Sequence, residues 1–298
     1  MPNPKYFILA LFSICCTPLF AQETVIPFEL TPANNIAVKA TLNKKDTATL
    51  MFHTAANSLT LTEDAVKKMS SLVFDGADSV KSWGGNGNTS RFSKSNTLEI
   101  GNRKWEHVPI WENINSGPQT GGKFGLELFD GKIVEIDFDK KVIVLHTKLP
   151  GKAKRFEKLK LTYEDEMMFV EGTCEVGGKL LINRFLIHSG YSGTLLLDDQ
   201  FTASNKIDTQ LKIVDQKTLK DSFGNVLVTN KAVLPSFKLS SKRMVSIPIG
   251  FFTGALGRQK MSIIGADLLK RFNMIIDAER AHIYLRENKS ISSGYFRG

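Results

Sequence analysis

Two segments of the chain follow the same pattern of apolar and polar residues, and each carries a histidine at the same point. The first covers residues 50–61 and contains His53, and the second covers residues 185–197 and contains His188. In each, an apolar run predicts a buried strand, polar residues around the histidine predict a tight turn, and a second apolar run predicts a returning strand. The fold must therefore accommodate two similar strand–turn–strand loops.

The segments downstream of the two loops are also alike. Gly125 follows His53 by 72 residues and comes after the apolar residue Phe124, while Gly265 follows His188 by 77 residues and comes after Ile264. A repeat of this length in two copies indicates two related lobes rather than a solenoid of short units.

This order of segments resembles the pepsin and retropepsin superfamily over residues 24–286. In that family each lobe has a loop with the pattern Asp-Thr/Ser-Gly and, later, an apolar-apolar-Gly segment that packs beneath it. The resemblance implies an all-β, two-lobed, pepsin-like acid protease fold with a few short helices. It places the N-terminal lobe at residues 22–150 and the C-terminal lobe at residues 151–298.

The resemblance also implies roles for the loop residues. His53 and His188 stand at the positions of the two catalytic aspartates, so both acids are missing. Thr54 and Ser189 match the hydroxyl residues that brace the two loops against each other. We expect the two histidine rings to lie close together between the lobes.

The remaining positions of the family pattern are matched unevenly. Gly190 matches the loop glycine, but the first loop has Ala55 there, whose Cβ restricts the backbone. Gly125 and Gly265 match the glycines beneath the loops. The family's flap corresponds to a hairpin predicted around Trp83-Gly84-Gly85, where closely spaced glycines favour a turn.

Loss of both aspartates removes the pair of carboxyls that share one proton in the family's mechanism. The leading expectation is a pseudoprotease that binds an extended peptide or a protein in the cleft between its lobes. An active hydrolase that uses the His53–His188 pair, with or without a metal ion, is the alternative. A purely structural domain with a closed cleft is a third possibility, so enzymatic activity is left open.

The sequence favours neither a metal site nor a cofactor. Two imidazoles are too few ligands for a zinc site, and no third histidine lies near either loop in the sequence. His107, His146 and His282 are expected to be surface or hydrogen-bonded strand residues. The formal net charge is +9, but its basic residues are not interleaved with aromatics, which argues against nucleic-acid binding.

The N-terminal residues are typical of a secretory signal peptide. Residues 1–21 combine Lys5, an apolar run and Ala21, and the run is too short for a transmembrane anchor. We therefore expect an exported protein, periplasmic or secreted. A lipoprotein would need a small residue before Cys15, where the chain has Ile14.

Three local predictions complete the analysis. Thr60 and Glu63 form a capping-box pattern, which predicts that a short helix starts at Thr60. Cys174 alternates with valines and is expected to be a buried strand thiol. The polar tail after Glu287 is expected to fray.

Overall fold

The computed structural model describes residues 23–80, 88–220, 226–252 and 259–296. Within these ranges the chain is mostly β-strand, with short helical turns, as the sequence predicts. The strands of the first half are β1 Thr24–Pro27, β2 Glu29–Leu30, β3 Ile36–Leu42, β4 Asp46–Phe52, β5 Leu59–Thr62, β6 Gly76–Val80, β7 Asn88–Ile100, β8 Arg103–Asn113, β9 Gly122–Phe124, β10 Ile133–Asp137 and β11 Val142–His146.

The second half has a matching set of strands. These are β12 Glu157–Lys160, β13 Thr162–Glu164, β14 Met167–Val176, β15 Lys179–His188, β16 Leu195–Leu196, β17 Asp215–Lys220, β18 Val226–Leu239, β19 Lys242–Phe251, β20 Ser262–Gly265, β21 Phe272–Ile276 and β22 His282–Glu287. The α-helices are α1 Glu63–Val66, α2 Asp199–Ser204, α3 Ile207–Gln210 and α4 Ala266–Leu269, and the 3₁₀ helices are Leu126–Phe129 and Gly151–Arg155.

The described strands form three sheets, and two of them are copies of one topology. One eight-stranded sheet has the order β2-β3-β4-β9-β5-β8-β7-β6, and the other has the order β13-β14-β15-β20-β16-β19-β18-β17. Position by position the two orders correspond, including the extra pairings of β3 with β7 and of β14 with β18. The internal repeat of the sequence is therefore a repeat of structure.

A six-stranded sheet joins the two halves, with the order β1-β11-β10-β21-β22-β12. Its centre is the antiparallel pair β10 and β21, in which Ile136 lies opposite Met274. The predicted lobe boundary, between residues 150 and 151, falls at the start of the 3₁₀ helix Gly151–Arg155. One apolar core extends from Phe52 and Phe124 in the first half to Phe185 and Phe237 in the second.

Alternation along β14 places the Cys174 side chain inward, where it is wholly buried and unpaired. Burial raises the pKa of this thiol to about 12, so it stays protonated at neutral pH. The prediction of a buried strand thiol is confirmed.

The prediction for the start of the first helix is wrong. The first helix begins two residues later than expected, because Thr60 lies in β5, paired with Trp111 and Lys123 of the neighbouring strands. The N-cap is Thr62, whose hydroxyl accepts the main-chain N–H of Ala65 at 3.2 Å. Strand pairing on both sides has overridden the local capping pattern.

The prediction that the C-terminal tail frays is also wrong, because the tail is anchored as far as residue 296. The buried guanidinium of Arg271 donates hydrogen bonds to main-chain carbonyls of Ser290, Ile291, Ser293 and Gly294. The main-chain N–H of Phe296 donates to the Asp267 carboxyl at 2.9 Å. A buried cation, Arg271, and a buried carboxylate, Asp267, therefore hold the tail in place.

Candidate functional site

The two histidine loops lie at equivalent ends of equivalent strands. His53 directly follows β4, and its main-chain N–H donates to the carbonyl of Phe124 at 2.8 Å. His188 is the last residue of β15, opposite Gly265 in the parallel pair with β20. The same strand arrangement thus delivers both loops to the junction between the halves.

Four buried hydrogen bonds brace the loops against each other. The Thr54 hydroxyl accepts the main-chain N–H of Ser189 at 3.0 Å and donates to the carbonyl of Ile187 at 2.7 Å. In the mirror arrangement, the Ser189 hydroxyl accepts the N–H of Thr54 at 3.0 Å and donates to the carbonyl of Phe52 at 2.8 Å. Each hydroxyl therefore serves one donor and one acceptor of the opposite loop, which fixes the loops in register.

This bracing brings the two imidazoles together. The ring centroids of His53 and His188 are 4.5 Å apart, and the ring planes make an angle of 64°. His53 is 9% exposed, and His188 is partly exposed. The pair is therefore covered but not sealed.

Gly190 makes room for the His53 ring. A Cβ built on Gly190 would lie 2.1 Å from Cδ2 and 2.3 Å from Nε2 of His53, closer than side-chain atoms can approach. Ala55, at the equivalent point of the first loop, packs its methyl group against the apolar cluster of the second half that contains Leu186 and Ile263. The departure of the first loop from glycine is thus accommodated by packing.

Gly125 and Gly265 lie beneath the loops, where the main chain passes very close. A Cβ at Gly125 would be 1.7 Å from the carbonyl oxygen of Ala56, and one at Gly265 would be 2.2 Å from that of Gly193. Both glycines are required for the close approach of strand and loop.

The hydrogen bonds of the two rings define their tautomer. The main-chain N–H of Ala55 donates to Nδ1 of His53 at 3.2 Å, and that of Tyr191 donates to Nδ1 of His188 at 2.9 Å. A backbone N–H is only a donor, so each Nδ1 must offer its lone pair. These contacts favour neutral rings with the proton on Nε2.

The surroundings keep both rings neutral. Burial lowers the pKa of His53 well below its usual value, and the charges of His188 and Lys123 lower it further. Burial lowers the pKa of His188 to about 4, with Lys123 acting in the same direction. A hydrogen bond between each histidine and its own backbone raises its pKa, but this effect is smaller than the lowering by burial. At pH 7 the site presents two uncharged imidazoles.

Lys123 is a site residue that the sequence analysis missed. It pairs with Met51 across the parallel strands β4 and β9, which places it on the same face of the sheet as Met51, and its charge lowers the pKa of both rings. The equivalent residue of the second half is Ile263, opposite Leu186. Its position directly before Phe124-Gly125 was the signal that could have identified it. Asn35, whose side chain donates to the Ser189 carbonyl at 2.9 Å, carried no such signal.

Two acids occupy equivalent positions beyond the glycines. The Glu127 carboxyl accepts the N–H of Gly125 at 3.1 Å, and burial raises its pKa to about 7. Asp267 is wholly buried and forms an ion pair with Lys270 at 2.8 Å. Neither carboxyl is hydrogen-bonded to the histidine pair.

The predicted flap residues Trp83, Gly84 and Gly85 lie outside the described residues. The strands that lead to them, β6 and β7, pair antiparallel from Gly76–Phe92 to Val80–Asn88. Among the described residues, no group of three His, Cys, Asp or Glu side chains is placed to hold a metal ion. Nor does that part of the chain contain a helix long and apolar enough to span a membrane.

The other histidines of the chain are explained by their neighbours. Nε2 of His146 lies 2.8 Å from the Glu135 carboxyl, and Nδ1 of His282 lies 2.9 Å from that of Asp277. Nδ1 of His107 lies 3.1 Å from the hydroxyl of Ser95 on the protein surface.

Comparison with known proteins identifies the fold. No protein-family model matches the chain, and no curated protein sequence matches it. Among solved structures, the crystal structure of an aspartic proteinase from Irpex lacteus is similar, with a TM-score of 0.60 and 12% sequence identity. The match covers 92% of this chain and 100% of that one. The chain therefore has a two-lobed pepsin-like fold, and at this identity the likeness extends to the fold alone.

Proposed function

We propose that this chain is a non-catalytic relative of the aspartic proteases that binds a peptide or a protein segment in the cleft between its lobes. The observation that carries the proposal is that the braced loops are intact, while the groups they present are two neutral imidazoles with Nδ1 already occupied. The braced loops of the fold are retained, but the pair of carboxyl groups needed for hydrolysis is absent.

The argument against catalysis concerns proton acceptors. Hydrolysis by a carboxyl dyad needs one group to take a proton from water while the other donates one to the substrate carbonyl. In each ring of this pair the lone pair faces a main-chain N–H, and Nε2 carries a hydrogen. Neither ring can act as a base toward a water in the cleft without first changing its tautomer and losing that hydrogen bond.

An imidazolium partner is equally disfavoured. Burial and the Lys123 charge oppose protonation of both rings, so the charged acid form is scarce near neutral pH. A histidine acid–base pair would need one ring charged and the other with a free lone pair. These two requirements conflict with the surroundings of both rings.

Peptide binding is supported by the fold and the edges it offers. By likeness to the pepsin-like fold, we propose that the braced loops form the floor of a cleft and that strands β6 and β7 correspond to the flap. An extended peptide can add to such strands through its main chain, with side chains contacting alternate sites. This mode needs neither aspartate.

The test is a broad peptide library, incubated with the purified chain from pH 3 to pH 7 and analysed by mass spectrometry. The proposal expects retained binding and no cleavage, with or without added zinc. Cleavage that disappears in a His188→Ala variant would establish the alternative of a histidine-dependent hydrolase. Absence of both binding and cleavage would favour a purely structural domain.

Export belongs to the same proposal. A signal peptide of residues 1–21 would direct the chain to the periplasm or the medium, where extended peptides are available. N-terminal sequencing of the exported protein is expected to start at Gln22. A cytoplasmic product that retains Met1 or Pro2 would contradict it.

A further inference from the structure

We infer that the Glu127 side chain is a pH-dependent latch on the first histidine loop: its protonated carboxyl donates a hydrogen bond to the main-chain carbonyl of Ala56 and releases the loop when it ionises. The latch lies between the 3₁₀ helix Leu126–Phe129 and the turn that follows His53. It does not depend on what the cleft binds, and it goes beyond the proposed function.

One oxygen of the Glu127 carboxyl is buried without a partner. Oε1 accepts the main-chain N–H of Gly125 at 3.1 Å, whereas Oε2 has no hydrogen-bond partner among the described residues. A buried carboxylate oxygen in this position loses the hydrogen bonds that water would make with its charge, and nothing replaces them. A proton on Oε2 removes the charge and turns that oxygen into a donor.

The carbonyl of Ala56 is the acceptor for this donor. The point that a Cβ on Gly125 would occupy lies 1.7 Å from the Ala56 oxygen and 2.6 Å from Oε2 of Glu127. Both oxygens therefore border the same small space, which the glycine leaves open. Two oxygens that face each other with no hydrogen between them repel, because both carry negative charge, and one O–H converts this contact into a hydrogen bond.

The acids beside Glu127 oppose its ionisation. Asp130 directly follows the same 3₁₀ helix. Glu166, in the turn between β13 and β14, accepts a hydrogen bond from the side chain of Asn57 in the first loop. Burial raises the pKa of Glu127 to about 7; main-chain hydrogen bonds act against this rise, and the charges of Asp130 and Glu166 add to it. The surroundings therefore favour the protonated form up to neutral pH.

No cation offsets these acids. Among the described residues Glu127 forms no ion pair, and its one hydrogen bond comes from the main chain. The other titratable groups on the neighbouring elements are Lys123 of β9, His53 of the loop and Arg280 of the turn after β21. The guanidinium of Arg280 donates to the main-chain carbonyl of Phe129 at 3.2 Å rather than to the carboxyl.

The second half shows the opposite arrangement. Its equivalent acid is Asp267, whose carboxylate pairs with Lys270 at 2.8 Å and accepts the main-chain N–H of Phe296 at 2.9 Å. The first half has Asp130 at the position of Lys270. One acid is thus surrounded by groups that stabilise its charge and the other by groups that oppose it, so only Glu127 responds to pH near neutrality.

Loss of the proton weakens the hold on the first loop. The N–H of Ala56 closes the turn by donating to the carbonyl of His53 at 3.0 Å, and Asn57 ties that turn to Glu166. An ionised Glu127 repels both the Ala56 oxygen and the Glu166 carboxylate. Because its pKa is raised from 4.5 in the folded state, the folded protein keeps the proton between pH 4.5 and about 7. The free energy of unfolding therefore falls as the pH rises through this range.

The direct test is carbon NMR of the Glu127 carboxyl. ¹³C-labelled protein is titrated from pH 4 to pH 9, and the resonance is assigned by its absence in Glu127→Gln. We expect a titration midpoint near pH 7. A midpoint near 4.5, the ordinary value for a glutamate, would overturn the inference.

The Glu127→Gln variant supplies a second measurement, because an amide keeps the geometry and does not titrate. Its oxygen can accept the N–H of Gly125, and its NH₂ group can donate to the carbonyl of Ala56. In urea unfolding its denaturant midpoint should match that of the parent at pH 5 and exceed it at pH 8. Glu157→Gln is the control: this carboxyl accepts hydrogen bonds from the N–H and the hydroxyl of Ser241, so its neutral variant should show no gain at pH 8.

Hydrogen exchange at the main-chain N–H groups of His53 and Ala56 reports on the loop itself. Between pH 6 and pH 8, exchange at these two groups should accelerate more in the parent than in Glu127→Gln, in which only the base catalysis common to all amides remains. Parallel exchange profiles for the two proteins, or equal urea midpoints at pH 8, would overturn the inference. Either result would leave the proposed peptide binding unaffected.

Discussion

The hydroxyl of Thr54 offers the sharpest test of how the two loops are held. In Thr54→Val the side chain keeps its shape, but the N–H of Ser189 loses its acceptor and the carbonyl of Ile187 loses a donor. Each buried polar group left without a partner costs about 1–3 kcal/mol, so the loss of two partners should lower the free energy of unfolding by about 2–6 kcal/mol. The loss should appear as a lower denaturant midpoint in urea unfolding with an unchanged slope.

Thr60→Val is the matched control. The Thr60 hydroxyl is buried but has no hydrogen-bond partner among the described residues, so the same substitution removes an unsatisfied group. We expect no loss of stability and a small gain. The double variant Thr54→Val with Ser189→Ala should lose less than the sum of the single losses, because both hydroxyls brace the same two loops. Equal midpoints for Thr54→Val and Thr60→Val would refute the bracing argument.

Three further predictions concern the pair and the tail. Gly190→Ala should destabilise the protein by about 1–3 kcal/mol, measured by urea unfolding, because its Cβ collides with the His53 ring; an unchanged midpoint would contradict this. The pKa of His188 is lower in the folded state than in the unfolded chain, so the unfolded chain binds more protons below pH 6.5. The free energy of unfolding should therefore be unaffected by His188 above pH 6.5 and should fall as the pH is lowered toward 4. Between pH 6.5 and pH 4, the free energy of unfolding of His188→Gln should fall less than that of the parent. Parallel curves of this free energy against pH for the two proteins would contradict the lowered pKa of His188. Arg271→Met should release residues 288–296, seen as faster tryptic cleavage at Lys289, while an unaltered cleavage rate would mean that other contacts hold the tail.

The architecture was predictable because each level of the sequence agrees with it. The Gly177-Gly178 turn separates β14 from β15, and the repeated order of apolar segments reflects the repeated sheet topology. The errors arose where distant contacts decide. Thr60 was assigned to a helix by a local pattern, but pairing on both sides keeps it in a strand. The tail was assigned to solvent, although its anchor, Arg271, lies well upstream and is buried.

The site was predictable in its position and not in its electrostatics. The loop pattern identified His53 and His188 as neighbours in space, and the structure places their rings side by side. Which nitrogen carries the proton depends on where the N–H groups of Ala55 and Tyr191 point, and no residue pattern states that. Lys123 affects the pKa of both rings because β9 runs parallel to β4 in one register, and that pairing joins residues far apart in the chain.

The central claim is that two neutral Nε2–H imidazoles lie together between the braced loops, and nitrogen NMR of the histidine rings tests it most directly. With ¹⁵N-labelled protein, and with His53 and His188 assigned through His→Gln variants, the account predicts the Nε2–H tautomer for both rings at pH 7. It further predicts that His188 stays neutral down to about pH 4. A ring charged at pH 7, or one with its proton on Nδ1, would contradict the account.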